Sequence, residues 1–275
     1  MSPTRKVAVV LGSGYVASFM FSLRNLYHNV FFTSRDPDHR LTWVPEKQRL
    51  QFDLGGEETW TNVPSGADLL WCFPAAPLEA VQEFARAAGS FKNDGRLLVL
   101  GSTSAYDVGG SREYPPPWID ESAPVDFSKP RVQGEEFLRR ECGATLLRVA
   151  GIYGPGRNPY TWIRSGRVSL SDKYVNLIHV EDLAEICLAA LRRGVRGAVY
   201  NVSDGIPRTW REIGAHLDAN AGAHRPARDD KQQSGKRIST AKLRLLLEQA
   251  GVSIRHPELF RSLDRLDDGQ SGIHR

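Results

Sequence analysis

The stretch Val7-Ala8-Val9-Val10-Leu11-Gly12-Ser13-Gly14-Tyr15-Val16-Ala17 decides how this chain is read. Its apolar run has the length of a strand buried on both faces, and the residues after Gly14 read as a helix. Gly12 permits the tight turn between them, Gly14 lets backbone approach a diphosphate, and Ala17 allows close helix–strand packing. The helix start at Tyr15 and Val16 then faces the phosphates. A G-x-G-x-x-A turn also serves packing alone. Its place on the first strand points to a dinucleotide.

Outward from that turn, strand and helix patterns alternate, which predicts a doubly wound parallel α/β sheet of Rossmann type. Strands are expected at Lys6–Leu11, Val30–Ser34, Arg49–Asp53, Asp68–Phe73, Arg96–Gly101 and Ala144–Val149. Helices are expected at Tyr15–Tyr27, Pro77–Ala88 and Ser128–Glu141. Asp107–Pro117, with Gly109-Gly110 and three consecutive prolines, reads as a loop over the active face. Further on come a strand at Tyr174–His179, a helix at Glu181–Arg193, a strand at Ala198–Val202 and helices at Thr209–Ala219 and Thr240–Ala250. Ala221–Arg237 is polar and basic and reads as a loop. The expected division is a dinucleotide-binding domain over residues 1–150 and a small substrate lobe over 151–275, interleaved with the last sheet elements.

Composition narrows the function classes. The chain has 275 residues, enough for a full core. Its apolar runs are strand-length, so no membrane span is expected, and the few residues before the first strand lead us to expect no signal peptide. Cys72, Cys142 and Cys187 are scattered without C-x-x-C spacing, which suits buried packing in the cytoplasm. The net charge of +4 is uneven: from Arg192 onward there are 16 Lys+Arg against 10 Asp+Glu. That segment lacks the dense basic stripe with aromatics of a nucleic-acid binder. It is either a solvated surface or a basic wall favouring a phosphate- or carboxylate-bearing ligand. No metal site is expected, since no His/Cys ligand spacing occurs. The sequence leaves a homodimer open.

The end of the second strand bears on cofactor choice. NAD enzymes place an acidic residue there to bind the ribose 2′-OH; this chain has Thr33-Ser34-Arg35. Hydroxyls and a guanidinium suit a 2′-phosphate, so NADP is expected over NAD, although Asp36 follows one position later.

Ordered motifs carry a family resemblance. Gly101-Ser102-Thr103-Ser104-Ala105-Tyr106 after its strand, Asp120-Glu121-Ser122-Ala123-Pro124, Leu147-Arg148-Val149-Ala150-Gly151-Ile152-Tyr153-Gly154-Pro155-Gly156, Val175 to Leu183, and Tyr200-Asn201-Val202 follow one another. Together they resemble the extended short-chain dehydrogenase/reductases, the NAD-dependent epimerase/dehydratase group, over roughly Lys6 to Gly251. The resemblance implies that Asp53-Leu54 contacts adenine and that Pro74-Ala75-Ala76 lies beside the adenosine ribose and pyrophosphate. It also implies that Ser102 hydrogen-bonds a substrate oxygen.

That family works with a tyrosine and a lysine four residues apart, the ammonium helping a phenol of ordinary pKa about 10 act near neutral pH. Here Phe127 takes the tyrosine position and Arg131 the lysine position. Phenylalanine has no proton to give, while Arg131 can still bond ribose hydroxyls. The same departure resembles an atypical YeeZ-like branch, through Arg131, Ala150-Gly151, Gly154-Pro155-Gly156-Arg157 and Ser234-Gly235-Lys236. Tyr106 and Tyr153 are candidate replacement acids, with packing as their ordinary role. Lys129 reads as solvated, and so do the carboxylate pairs Glu135/Glu136 and Asp229/Asp230. His179 reads as a structural bridge or a proton shuttle. Three functions follow: an NADP-dependent oxidoreductase or epimerase acting on a small polar, sugar-like or phosphorylated substrate; a non-catalytic NADP-binding regulator; or a reused fold without redox chemistry.

Overall fold

The computed structural model describes residues 5–88, 95–109, 111, 113–221 and 235–271. Its seven parallel strands are β1 (Arg5–Leu11), β2 (Tyr27–Ser34), β3 (Arg49–Gln51), β4 (Asp68–Trp71), β5 (Leu97–Ser102), β6 (Thr145–Val149) and β7 (Val199–Val202). They lie in the order β7-β6-β5-β4-β1-β2-β3, with the reversal of strand order between β1 and β4. Ligands of such sheets bind at the carboxyl ends of the strands beside that reversal.

Alternation along β1 explains both layers. Ala8 and Val10 join one apolar cluster and Val9 and Leu11 the other. Successive side chains point to opposite faces, so a strand buried on both must be apolar throughout. On the first face pack the segment Ala17–Asn25, helix α3 (Val180–Arg193) and helix α5 (Ala241–Ala250). On the second lie α1 (Leu78–Ala87) and α2 (Pro130–Glu141), through Val81, Phe84 and Leu138. A third cluster holds the lobe: Tyr153, Tyr160, Ile163 and Leu177 pack against Ile213 and Leu217 of α4 (Trp210–Ala221) and Leu259 and Leu263 of α6 (Leu259–Ser271).

Three expectations need correction. The segment after the glycine turn is a 3-10 helix over Ala17–Asn25, interrupted at Met20, instead of an α-helix reaching Tyr27. Phe19, Phe21, Ser18, Ser22 and Asn25 are mediocre helix formers. Tyr27 meanwhile donates to Asp68 Oδ2 at 2.7 Å, drawing the chain into β2 three residues early. The strand expected over Tyr174–His179 breaks at Asn176. Tyr174–Val175 pairs with Arg208–Thr209, whereas Leu177–His179 pairs with Gly151–Tyr153. Asn176 at the break donates Nδ2 to Lys236 O (2.8 Å) and accepts from Ile238 N–H (3.0 Å), so its amide replaces a ladder peptide. Finally, Arg237 belongs to a short strand: Arg237–Ile238 pairs in parallel with Trp118–Ile119. Most of the polar segment before it, with Asp229, Asp230 and Ser234, lies outside the described residues. No described helix is long and apolar enough to cross a membrane.

Candidate active site

The glycine turn and the ends of β2 and β4 frame a cleft of about 910 Å³. Gly12 has φ +96. Its N–H donates to Thr33 Oγ1 at 3.0 Å, which ties the turn to β2. A β-carbon on Gly14, by contrast, would meet nothing within 4 Å. That position opens on the cleft, where a side chain would take the room a diphosphate needs. Tyr15 is half-buried, while Val16 packs into the core and offers only its backbone.

Ser34 and Arg35 line this cleft together with Arg40. Arg40 was not anticipated; it ends the short helix Pro37–Arg40, whose single turn brings it to the rim. Asp36 lines the same wall, but its carboxylate pairs with His39 Nδ1 at 2.9 Å. That hydrogen bond holds the carboxyl below the usual carboxylate range. Asp53 and Leu54 lie opposite. Their turn is fixed by Asp53 N–H donating to Thr59 Oγ1 (2.9 Å) and Gly55 N–H donating to Asp53 Oδ1 (3.1 Å). From the β4 turn the wall takes Phe73, Ala76 and Pro77, not Pro74 and Ala75. Ala75 is buried, and a β-carbon on Gly134 would fall 1.9 Å from its carbonyl oxygen, so α2 packs tightly there.

A second cleft of about 740 Å³ opens beyond β5, lined in part by Tyr106, Asp107, Lys173, Tyr174 and Lys236. Ser102 ends β5 and accepts from Ser104 N–H at 3.2 Å, capping the turn Thr103–Tyr106. That bond uses the oxygen and leaves the hydroxyl proton to donate. Arg131, in the first turn of α2, donates Nη2 to Ser104 Oγ. Phe127 is exposed, with the Arg140 guanidinium 5.9 Å from its ring along the outer side of α2. It serves neither cleft.

Two lysines turn inward instead. Lys129 donates Nζ to Ser104 O (2.6 Å) and Asp107 Oδ2 (3.0 Å), which corrects its reading as a solvated side chain. It precedes the first helical residue, so helical spacing does not govern where it points. Lys236 reaches the same turn from far along the chain, donating to Thr103 O (3.1 Å) and to the other Asp107 oxygen. Burial raises the Asp107 carboxyl, but hydrogen bonds from Lys236 and Lys129 outweigh it and bring the net value down.

The tyrosines separate. Tyr106 donates to Asn201 Oδ1 at 2.7 Å beneath the Arg148 guanidinium, and burial pushes its phenol up. Tyr153 is wholly buried in the lobe core, edge-on to His179, and lines neither cleft. Burial pushes its phenol up as well.

The reading of Glu135 and Glu136 as solvated is corrected. Both are buried and diverge. Glu136 pairs with Arg139 (2.7 Å), Arg148 (2.8 Å) and Arg140 (3.2 Å). Glu135 turns toward Gly101, its Oε2 lacks a described partner, and burial raises its carboxyl to about 7.

His179 caps α3 by accepting from Glu181 N–H at 3.3 Å, and burial lowers its imidazole to about 4. Ligand atoms of His179, Glu181 and His256 come within 4.8 Å of one another. The two imidazoles, however, stack with centroids 3.6 Å and planes 24° apart. Their in-plane lone pairs run side by side, whereas a shared cation requires them to converge.

No protein-family model matches the sequence. Protein YeeZ of Escherichia coli K12 is 28% identical over 132 residues, 46% of this chain and 45% of YeeZ; the chain thus spans about half the length of the curated relatives it matches. Among solved structures, one from Methylobacillus flagellatus, described as an NAD-dependent epimerase/dehydratase, superposes with TM-score 0.76 at 22% identity, over 98% of this chain and 100% of that one. The chain shares that protein's fold. Two liganded structures share it. RMD of Pseudomonas aeruginosa, complexed with NADPH, has TM-score 0.67 at 18% identity, over 97% of both chains. WbmG of Bordetella bronchiseptica, complexed with NAD and UDP, has 0.70 at 16%, over 98% of this chain and 96% of that one. Within this fold, the first cleft lies at the ends of β1, β2 and β4, and the second is lined by Tyr106 and Asp107 beyond β5.

Proposed function

We propose that this protein binds NADP(H) in the first cleft and acts in the cytoplasm as an oxidoreductase or epimerase. Its substrate is a small polar molecule, sugar-like or phosphorylated, held in the second cleft. The observation that carries this reading is the wall at the end of β2: Ser34, Arg35 and Arg40 line the cleft, while Asp36 on the same wall is paired with His39. Two guanidinium groups suit a 2′-phosphate, which a ribose hydroxyl would leave unpaired. The cofactors of the RMD and WbmG complexes, NADPH and NAD, support a dinucleotide here, and the UDP of WbmG supports a phosphate-bearing substrate. The three cysteines are free, which suits a reducing compartment.

The residues present fit the cofactor. The open space at Gly14 takes the diphosphate, and Asp53 and Leu54 flank adenine. When bound, the nicotinamide supplies hydride transfer. Ser102 and Arg131 line neither cleft themselves but stand at the β5 turn whose Tyr106 lines the second; from there Ser102 donates to the substrate oxygen, and Arg131, which also donates to Ser104, binds the adjoining ribose or the developing charge. Lys129 and Lys236 both pair with Asp107, so two ammonium groups share one carboxylate at the turn that carries Tyr106.

A second reading, an NADP-binding regulator without turnover, is favoured by Phe127, which stands outside both clefts where the family has its tyrosine. The deciding experiment follows NADPH absorbance against a panel of aldehydes, keto sugars and sugar phosphates. Turnover lost in Ser102→Ala supports the enzyme; tight NADPH binding without turnover of any panel member supports the regulator.

A further inference from the structure

The Arg157 guanidinium lies against the glycine turn from the lobe side. Gly154–Arg157 folds into a tight turn in which Gly154 N–H donates to Arg157 O (3.0 Å) and Arg157 N–H to Gly154 O (2.9 Å). The turn docks on the glycine turn itself: Tyr15 donates its hydroxyl to Pro155 O at 3.0 Å. Burial raises the Tyr15 phenol to about 12, so it remains a donor. A β-carbon on Gly154 would fall 2.8 Å from that hydroxyl and 2.7 Å from Val180 Cγ1, which is why glycine is needed at the contact. The Arg157 guanidinium then lies 4.8 Å from the centre of the Tyr15 ring. Arg157 is exposed, and among the described residues no carboxylate forms an ion pair with it. Glu181, whose charge also reaches Tyr15, is held by His256 at 2.9 Å.

The glycine turn needs such a charge more than most. A diphosphate at a helix start is stabilised by aligned peptide dipoles. Here the helix is a 3-10 segment broken at Met20, so few peptides line up behind the turn.

We propose that Arg157 is a second anchor for the cofactor diphosphate, reaching over Tyr15 from the lobe. The inference rests on the reading of the first cleft as the cofactor site. Stacking on Tyr15 keeps the guanidinium beside the turn, and its planar fork matches two phosphate oxygens. No ion pair has to break for it to move there. Binding of the diphosphate thereby couples the lobe to the sheet.

The test compares wild type, Arg157→Ala and Arg157→Lys by calorimetry with NADPH, NADH, ADP-ribose and adenosine 2′-monophosphate. The alanine variant is expected to lose at least about tenfold in affinity for the three diphosphates and nothing for the monophosphate, with lysine recovering part of the loss. The loss should shrink in molar salt, which screens an exposed charge. Unchanged affinity of Arg157→Ala for ADP-ribose overturns the role of Arg157 and leaves the cofactor site standing. An equal fall for the monophosphate overturns it too, since the damage would then be general. Wild type that binds none of the four overturns the cofactor reading, and this inference with it.

Discussion

Glu135 lies against the bare α-carbon of Gly101, where a β-carbon would come within 2.7 Å of Glu135 Oε2. A serine or any larger residue at position 101 would strike the carboxylate. The buried carboxyl titrates near 7, raised from 4.5 by burial against the opposing pull of Arg131 and Arg148. The folded chain therefore holds a proton that the unfolded chain has released between those two values, and stability falls as pH rises through that window. Glu135→Gln, which cannot titrate, should gain on the wild type by up to about 3 kcal/mol between pH 4.5 and pH 8. Urea unfolding at both pH values reads the difference. A gap that does not change with pH would show that the Glu135 carboxyl titrates alike in the folded and unfolded chains.

Gly14→Val should fold with a thermal midpoint close to the wild type, because nothing stands within 4 Å of the added carbon. It should lose NADPH binding, because the side chain enters the diphosphate's room. Normal binding by a folded variant would reduce the glycine turn to a packing device.

Arg35→Ala and Arg40→Ala should each weaken NADPH by about 1.5–3 kcal/mol and leave NADH nearly unchanged. Losses shared equally by both cofactors would assign these arginines to adenine or diphosphate instead of the 2′-phosphate.

Phe127→Leu should leave any measured turnover within about tenfold, since the ring is exposed beside the Arg140 guanidinium and has no proton to give. Ser102→Ala should cost on the order of 10²-fold if its hydroxyl polarises the substrate oxygen. The reverse ranking would move the reacting centre toward Phe127.

The sheet was legible because its signals are local: a strand buried on both faces must read as Val7 to Leu11 does, and the glycines must follow it. That Ser34 and Arg35 would stand together at the end of β2 was legible for the same reason. Arg40 was not, since a four-residue helix has too little periodicity to announce which way it faces. Lys236 escaped because its partners, Thr103 and Asp107, lie more than 120 positions away, brought near by the pairing of Arg237–Ile238 with Trp118–Ile119. Glu135 misled the reading for a physical reason. A carboxylate on a helix ordinarily faces water, and only the missing side chain of Gly101 makes room for it inside.

The most direct test of the account is calorimetry of the wild-type chain with NADPH and with NADH. The wall of Ser34, Arg35 and Arg40 predicts that NADPH binds at least about tenfold more tightly, with the preference abolished in the Arg35→Ala, Arg40→Ala double variant. Equal affinities, or tighter binding of NADH, would contradict it.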